Sequence, residues 1–307
     1  MELPRTDQFL MGKGPKLTID PLRSQNRMSS HRVIIGPGSV SQNYWRDLWQ
    51  YRGLLLFLAW RDVMVRYKQT AIGILWAVLR PVLTILAMWF IGWLFGSTVP
   101  AGTPRLLMVC AATLPWQFFA TSFSETSNSL ISNSNLLTKV YFPRLILPFS
   151  TVLVSAIDFA VAFLILVIMM VWYAYLPGPE VFLLPLFVLL TLVVSFGAGL
   201  LIASLNVKYR DFRYVVPFIV QFGLYVTPVA FSSQDIFNNP GIPAVMKYLY
   251  ACNPMVAVID GFRYCLFGAA QTIHWPGFIT SCCISLLLLF IGIRHFRRTE
   301  RGFADII

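Results

Sequence analysis

The stretch that decides the fold is residues 60–96, which read WRDVMVRYKQTAIGILWAVLRPVLTILAMWFIGWLFG. Its first part is charged as far as Lys68, whereas residues 72–95 are apolar except for Arg80, which Pro81 follows directly. A bilayer core of about 30 Å requires roughly 20 helical residues. The apolar part therefore predicts a membrane-spanning helix, and the charged part predicts the end of a helix that stays at the membrane surface.

The composition of the whole chain supports a membrane protein with several spans. The mean hydropathy is +0.68 and only 12% of the 307 residues are charged, whereas soluble domains contain about 25% charged residues. The net charge of +11 would suggest a nucleic-acid partner in a soluble protein, but here it follows membrane topology, so we expect no nucleic-acid binding. The five cysteines have no metal-ligand spacing and an odd number, so they predict neither a metal site nor a disulfide framework.

The chain before the first span divides into two segments. Residues 1–43 are rich in proline, glycine, serine and arginine, which predicts a disordered cytoplasmic extension, with ordering of residues 31–40 on a partner as the alternative. They contain no apolar segment typical of a signal peptide, so we expect the first span to remain as an anchor. Residues 44–68 predict an amphipathic helix in the interface plane, with packing on a soluble domain as the alternative. Its two opposite sides are marked by Trp45, Trp49 and Trp60 and by Arg46, Arg61 and Lys68.

Residues 69–307 predict a six-helix transmembrane domain with a short cytoplasmic C-terminal tail. Five further apolar stretches follow the first span: one beginning near residue 106, then residues 145–173, 181–206, 214–231 and 273–293. The fifth span is broken by Pro217 and Pro228, and the fourth carries Ser195, Gly199 and Ala203 at four-residue spacing, which is typical of close helix packing. Two helical stretches near residues 243–251 and 255–268 predict short re-entrant helices in the outer leaflet. The predicted fold is thus an all-α integral membrane protein.

Charge asymmetry predicts the orientation of these spans. Six spans place both termini on the same side of the membrane, and of the 24 lysines and arginines all but Arg105, Lys247 and Arg263 fall on that side. Cytoplasmic segments carry the excess of lysine and arginine. We therefore expect both termini to be cytoplasmic.

Motifs for catalysis are missing from the sequence. It contains no phosphate-binding loop, no acidic metal cluster and no nucleophile motif, so we expect no enzymatic activity on this chain. The main intramembrane acids are Glu125 and Asp158, which lie in different spans; Asp158 has either a functional role or a structural one, pairing within the bundle. The polar run of residues 121–135 either lines a wet cavity or leaves the membrane as a helix.

Five segments together resemble one family. They are RDVMVRYKQTAIGILWAVLRPVLT (61–84), LPWQFFATSFSETSNSLISNSNLLTKVYFPRLILP (114–148), NVKYRDFRYVVPFIVQFGLYVTPVAF (206–231), NPMVAVIDGFRYCLFG (253–268) and FRRTERGFADI (296–306). In this order they resemble the permease subunit of type-2 ABC exporters of bacterial surface polysaccharides, above all the O-antigen exporter permease. Residues 1–43 look like an extension of the family pattern, and Arg80 stands where members often carry an uncharged polar residue.

The resemblance implies a set of partners. It implies a homodimer in the bacterial inner membrane, bound to two copies of an ATP-binding cassette subunit that holds ATP and Mg, with no cofactor on this chain. It further implies a channel between two permease copies for an undecaprenyl-linked polysaccharide, in contact with membrane lipid. Two alternatives remain: a type-2 exporter of another cargo (a capsule or teichoic-acid polymer, a small lipid or a drug), and a membrane-embedded enzyme acting on lipid-linked sugar.

Three groups of residues are candidates for these roles. For each, an ordinary structural role, interface anchoring or surface solvation, is the alternative. The residues expected to couple to the ATPase are charged or apolar side chains on the surface helix and on the link at residues 133–143: Arg61, Asp62, Arg66, Leu136, Leu137, Lys139, Tyr141 and Phe142. The rings expected to line the channel and stack on sugars are Trp89, Phe90, Trp93, Trp116, Phe118, Phe119, Phe218, Phe222 and Tyr225. Asp260 and Arg263, three residues apart, are expected to pair and hold an outer gate.

Overall fold

The computed structural model describes residues 44–68, 73–96, 99, 102–209, 211–268, 271 and 273–303, and within these ranges it is helical and has no strand. The prediction for residues 1–43 lies outside the described residues. The helices are α1 (Tyr44–Gln50), α2 (Arg52–Lys68), α3 (Gly73–Leu94), α4 (Arg105–Ser132), α5 (Ser134–Lys139), α6 (Ile146–Trp172), α7 (Leu184–Lys208), α8 (Phe212–Val226), α9 (Ser233–Phe237), α10 (Ala244–Ala251), α11 (Pro254–Phe267) and α12 (Trp275–Thr299). Short 3-10 helices at Pro179–Leu183 and Glu300–Gly302 precede α7 and follow α12.

In the part of the chain that the structure describes, four helices are long and apolar enough to cross a membrane. They are α4, α6, α7 together with the 3-10 helix before it, and α12. Two further apolar helices are shorter by this measure, Val78–Leu94 within α3 and Phe212–Val226, which is α8. The all-helical membrane architecture predicted from the sequence is therefore confirmed, while the count of six spans stays a prediction.

The amphipathic segment consists of α1 and α2, with Tyr51 in a turn between them. Trp45, Trp49 and Trp60 are exposed, whereas Leu58 and Ala59 are buried. Helix α2 packs along α6. Exposed tryptophans on a helix of this kind are typical of side chains at the level of lipid headgroups.

Helix α4 is the centre of the bundle and packs against α3, α6, α7, α8 and α11. Its apolar first half is buried, and so are Ser122, Thr126, Ser127 and Ser129 in its polar second half. These hydroxyls face protein: Ser195 Oγ of α7 donates to Ser122 Oγ at 3.0 Å, and Ser129 Oγ donates to the Thr126 carbonyl at 2.7 Å. Much of the polar run therefore packs inside the bundle, while Thr121 and Glu125 line a cavity, which was one of the two sequence-based alternatives.

Small residues allow α7 to approach its neighbours closely. Ser195, Gly199 and Ala203 are all buried, as the spacing predicted. On another side of α7, a Cβ added at Gly197 would lie 2.6 Å from Cα and N of Leu289 in α12. A Cβ added at Gly292 of α12 would in turn meet the backbone of Gly197. Helices α7 and α12 are thus in backbone contact, which only glycine permits at this crossing.

The segments that follow α7 differ from the sequence prediction at one point. The fifth span was predicted over residues 214–231, but α8 ends at Val226 because Thr227 is extended, with φ −85° and ψ 154°. A residue before proline disfavours the helical conformation, and Pro228 follows. Helices α10 and α11 lie where the two short helices were predicted, and their re-entry into the membrane stays a prediction.

We expect Gly197→Ala to destabilise the protein by about 1–3 kcal/mol, the usual penalty for overpacking a filled interior. The added methyl group meets the backbone of α12, which cannot move aside as a flexible side chain could. The measurement is the thermal unfolding midpoint of the full-length protein in detergent. Gly53→Ala in α2 is the matched control, because its Cβ meets nothing within 4 Å. Equal midpoints for the two variants would contradict the close crossing.

Candidate functional site

Arg61 attaches the surface helix α2 to the end of α4. Its guanidinium lies 2.7 Å from Asp62 Oδ1, and Nη2 donates to Asn133 Oδ1 at 3.0 Å. Asn133 is the single residue between α4 and α5. Two of the three charged residues of α2 that were predicted for coupling, Arg61 and Asp62, are therefore engaged at the junction of α2 with the α4–α5 turn, and both remain partly exposed.

The third charged residue, Arg66, faces the interior of the protein and joins three helices. Its Nη2 lies 2.6 Å from Glu125 Oε1 of α4, and its Nη1 donates to Asp158 Oδ2 of α6. Tyr67 donates its hydroxyl proton to the other oxygen of Asp158. Of the two roles considered for Asp158, pairing within the bundle is the one the structure shows. The two acids that the sequence placed in different spans thus meet at one arginine of α2.

The link between α4 and α6 has one buried and one exposed side. Leu137 and Phe142 are buried in an apolar cluster with Leu58 of α2 and with Leu130 and Leu145. Leu136 is half-buried and packs against this cluster. Lys139 and Tyr141 are exposed, and 66% of the surface of Tyr141 is accessible. The link is thus anchored on its apolar side and presents a cation and an aromatic ring outwards.

A junction that the sequence did not predict lies beside this link. Glu300 Oε1 accepts from the Tyr44 hydroxyl at 3.2 Å and from the Arg144 backbone N–H at 3.0 Å. Arg297 lies over the Tyr44 ring at 4.7 Å, and Arg144 lies over the Phe303 ring at 5.8 Å. Burial raises the pKa of the Glu300 carboxyl. Glu300 therefore connects three segments, which are the start of α1, the α5–α6 turn and the end of α12.

The nine predicted aromatic rings fall into two groups. The exposed rings lie on α3 and α8: Trp89, Phe90, Trp93, Phe218, Phe222 and Tyr225. Those of Phe218 and Phe222 pack at 4.2 Å between centroids. The other three, Trp116, Phe118 and Phe119 of α4, are buried, and Trp116 closes against Gly223 of α8. A ring enclosed in this way offers little face to a sugar, so we keep only the six exposed rings as channel candidates.

Asp260 and Arg263 are both buried in α11, so the alternative of surface solvation is wrong. Arg263 donates from Nη1 to the Phe231 carbonyl at 3.0 Å and from Nη2 to the Val229 carbonyl at 3.2 Å. Between these two described residues there is no ion pair within 4 Å, because the Arg263 guanidinium is turned towards the carbonyls that follow α8. The arginine thus attaches α11 to the bend at the end of α8.

Comparison with known proteins agrees with this arrangement. A family described as ABC-2 type transporter matches residues 53–267, which extend from α2 to the end of α11. The chain belongs to the ABC-2 type transporter family. Membership of this family implies a partner subunit that binds ATP.

Individual relatives of this ABC-2 chain are named as polysaccharide exporters. It is 27% identical over 263 residues, 85% of the chain and 98% of the relative, to the O-antigen export system permease protein RfbA of Myxococcus xanthus. It is 25% identical over 256 residues, 83% of the chain and 95% of the relative, to RfbA of Klebsiella pneumoniae. It is 24% identical over 251 residues, 80% of the chain and 90% of the relative, to the capsule polysaccharide export inner-membrane protein CtrC of Neisseria meningitidis serogroup A.

We expect Arg66→Gln to destabilise the ABC-2 chain by about 1–3 kcal/mol, because it leaves two partly buried carboxylates without their cation. The double variant Arg66→Gln with Asp158→Asn should recover part of this loss, since one of the two anions is removed. Thermal unfolding in detergent measures both. A double variant no more stable than Arg66→Gln alone would contradict the proposed origin of the loss. Arg298→Gln, at an exposed position of α12, is the control for loss of a positive charge.

Proposed function

We propose that this chain is the channel-forming permease subunit of an ATP-driven exporter that moves a lipid-linked, O-antigen-type polysaccharide across the bacterial inner membrane. The observation that carries the proposal is the set of six exposed rings on α3 and α8, in an ABC-2 chain whose relatives are named O-antigen permeases. Export of a capsule polymer is the second candidate, supported by the similarity to CtrC.

The exposed rings support a channel built from two copies of the chain. On a membrane-spanning helix an exposed apolar side chain faces either lipid or an assembly surface, and we assign the second role to these rings. A sugar chain needs flat apolar faces, on which the C–H faces of pyranose rings stack, and water, to which its hydroxyls bond. In the proposed homodimer, α3 and α8 of each copy line the path, and an undecaprenyl-linked glycan moves along their rings within the surrounding lipid.

The link between α4 and α6 is the proposed contact with two copies of an ATP-binding cassette subunit, which hold ATP and Mg. Lys139 and Tyr141 are exposed for docking, while Leu137 and Phe142 fix the link to the permease. Force applied at this link reaches α4 through Asn133 and α2 through Arg61. Arg66 then carries the displacement of α2 to α4 and α6, so we assign it to transmission inside the permease rather than to docking.

At the opposite end, Arg263 is the proposed connection between an outer gate and the channel. It ties α11 to the carbonyls of Val229 and Phe231, just beyond the channel helix α8. A displacement of α8 would therefore move α11 with it, while the buried Asp260 lies on the same helix. With both termini cytoplasmic, as the distribution of lysine and arginine indicates, this gate faces outwards.

We expect Lys139→Glu to reduce co-purification of the ATP-binding subunit about tenfold or more, because like charges brought together at an interface cost several kcal/mol. Lys208→Glu makes the same charge reversal at an exposed position at the end of α7 and serves as the control. The measurement is the amount of ATPase subunit retained by the tagged, full-length permease. Equal retention by both variants would count against docking at this link.

Deletion of the gene tests the cargo. The expected result is accumulation of undecaprenyl-linked polymer at the inner membrane and loss of O-antigen from the cell surface, restored by the wild-type gene. Loss of a capsule with normal O-antigen would favour the second candidate. An unchanged surface coat would exclude both polysaccharides and favour a small lipid or drug as cargo.

A further inference from the structure

A cavity of about 460 Å³ opens between α2, α3, α4 and α6, and neither docking nor the aromatic path uses it. One part of its lining is charged and comprises Arg66, Arg80, Glu125 and Asp158. The remainder is largely apolar and includes Leu114, Phe118, Phe159 and Ala162. The cavity is therefore amphiphilic, and its volume is in the range of sites that take organic ligands of moderate size.

The charges of the lining are balanced but distributed unequally. Arg66 is held between the carboxylates of Glu125 and Asp158, so this group carries one net negative charge. Arg80 also lines the cavity, and among the contacts of the described residues its guanidinium makes no hydrogen bond and no ion pair. With respect to the described residues, the cavity thus offers a cation without a protein partner and, separately, an excess of carboxylate. A ligand with a phosphate and an ammonium group would match both features, whereas a purely anionic head would meet the carboxylates.

The length of the lining matches one leaflet of a bilayer. Between Glu125 and Leu114, α4 rises about 16 Å at 1.5 Å per residue. Half of a bilayer core of about 30 Å has nearly the same depth. The lining has its charged groups near the surface helix α2 and its apolar groups farther along α4. A lipid has the same order, with a polar head followed by acyl chains.

We propose that this cavity binds a zwitterionic phospholipid with a primary ammonium headgroup, of the phosphatidylethanolamine class. The phosphate is bound by Arg80, and the ammonium donates hydrogen bonds to the carboxylates of Glu125 and Asp158. The acyl chain lies along Trp76 and Phe159, two aromatic rings of the lining that remain accessible. A quaternary ammonium has no N–H to donate, so phosphatidylcholine is a weaker ligand. The proposal concerns the lipid partner of the permease rather than its cargo, and its failure would leave the exporter function untouched.

The site also gives the Arg80 side chain a partner. Arg80 is exposed on α3 at the edge of the cavity. With the phospholipid bound, every charge of the lining has a partner of opposite sign. Because Arg66 belongs to the same lining, the lipid is part of the contact that holds α2 on α4 and α6.

The test is native mass spectrometry of the purified full-length permease with equal amounts of phosphatidylethanolamine, phosphatidylcholine and phosphatidylglycerol. Phosphatidylethanolamine should bind in preference to both others. Arg80→Gln and Glu125→Gln should each weaken its binding about tenfold, the effect of losing one hydrogen bond to a charged group. The control variant is Arg298→Gln, at a position on α12 that does not line the cavity. It should bind phosphatidylethanolamine as the wild type does. Thermal unfolding of each lipid-free variant shows that it is folded.

Further arms of the experiment separate the possible ligands. Undecaprenyl phosphate is the first alternative ligand. If it binds more tightly than phosphatidylethanolamine, and if Arg80→Gln weakens its binding while Glu125→Gln does not, the cavity is an anion site. That result would overturn the zwitterionic assignment. Soluble phosphoethanolamine competing as well as the lipid would show a headgroup site without a lipid tail. Equal binding of all three phospholipids, or binding unchanged in Arg80→Gln and Glu125→Gln, would overturn the proposal altogether.

Discussion

The contact of Arg66 with two carboxylates is the constraint on which the arrangement of the surface helix depends. Helix α2 has 17 residues, of which Leu58 and Ala59 are buried, and Leu54 and Leu55 pack partly against the same apolar cluster. The guanidinium binds Glu125 of α4 and Asp158 of α6, and charge-assisted hydrogen bonds of this kind are about twice as strong as neutral ones. Because α4 and α6 also pack directly on each other, one arginine fixes α2 relative to the core of the bundle.

The position of most helices could be predicted because the bilayer imposes their length and apolar character. Helices α6, α7 and α12 follow long apolar stretches, and no other structure satisfies the backbone in lipid at such a length. The end of α8 was placed five residues too late, at residue 231, because the proline at 228 was treated as a kink rather than an end. A proline tolerated inside a helix, such as Pro217, and one that follows its end look alike in the sequence.

The environment of single side chains was less predictable because it depends on which helices surround them. Trp89 and Trp116 both stand in apolar helices, yet Trp89 is exposed and Trp116 is buried, since Trp116 packs against Gly223 of the distant helix α8. The three-residue spacing of Asp260 and Arg263 suggested an ion pair, but carbonyls from a distant segment compete for the guanidinium. Periodicity describes a single helix and carries no information about such partners.

The contact between Tyr44 and Glu300 has a consequence for biosynthesis. The two residues are 256 positions apart. While the ribosome is still translating the segment between them, Tyr44, α1 and α2 are already made, but the acceptor for the tyrosine hydroxyl is not. The junction that supports the α5–α6 turn can therefore close only after α12 has been synthesised, which is later than the synthesis of every helix that the junction connects to α12.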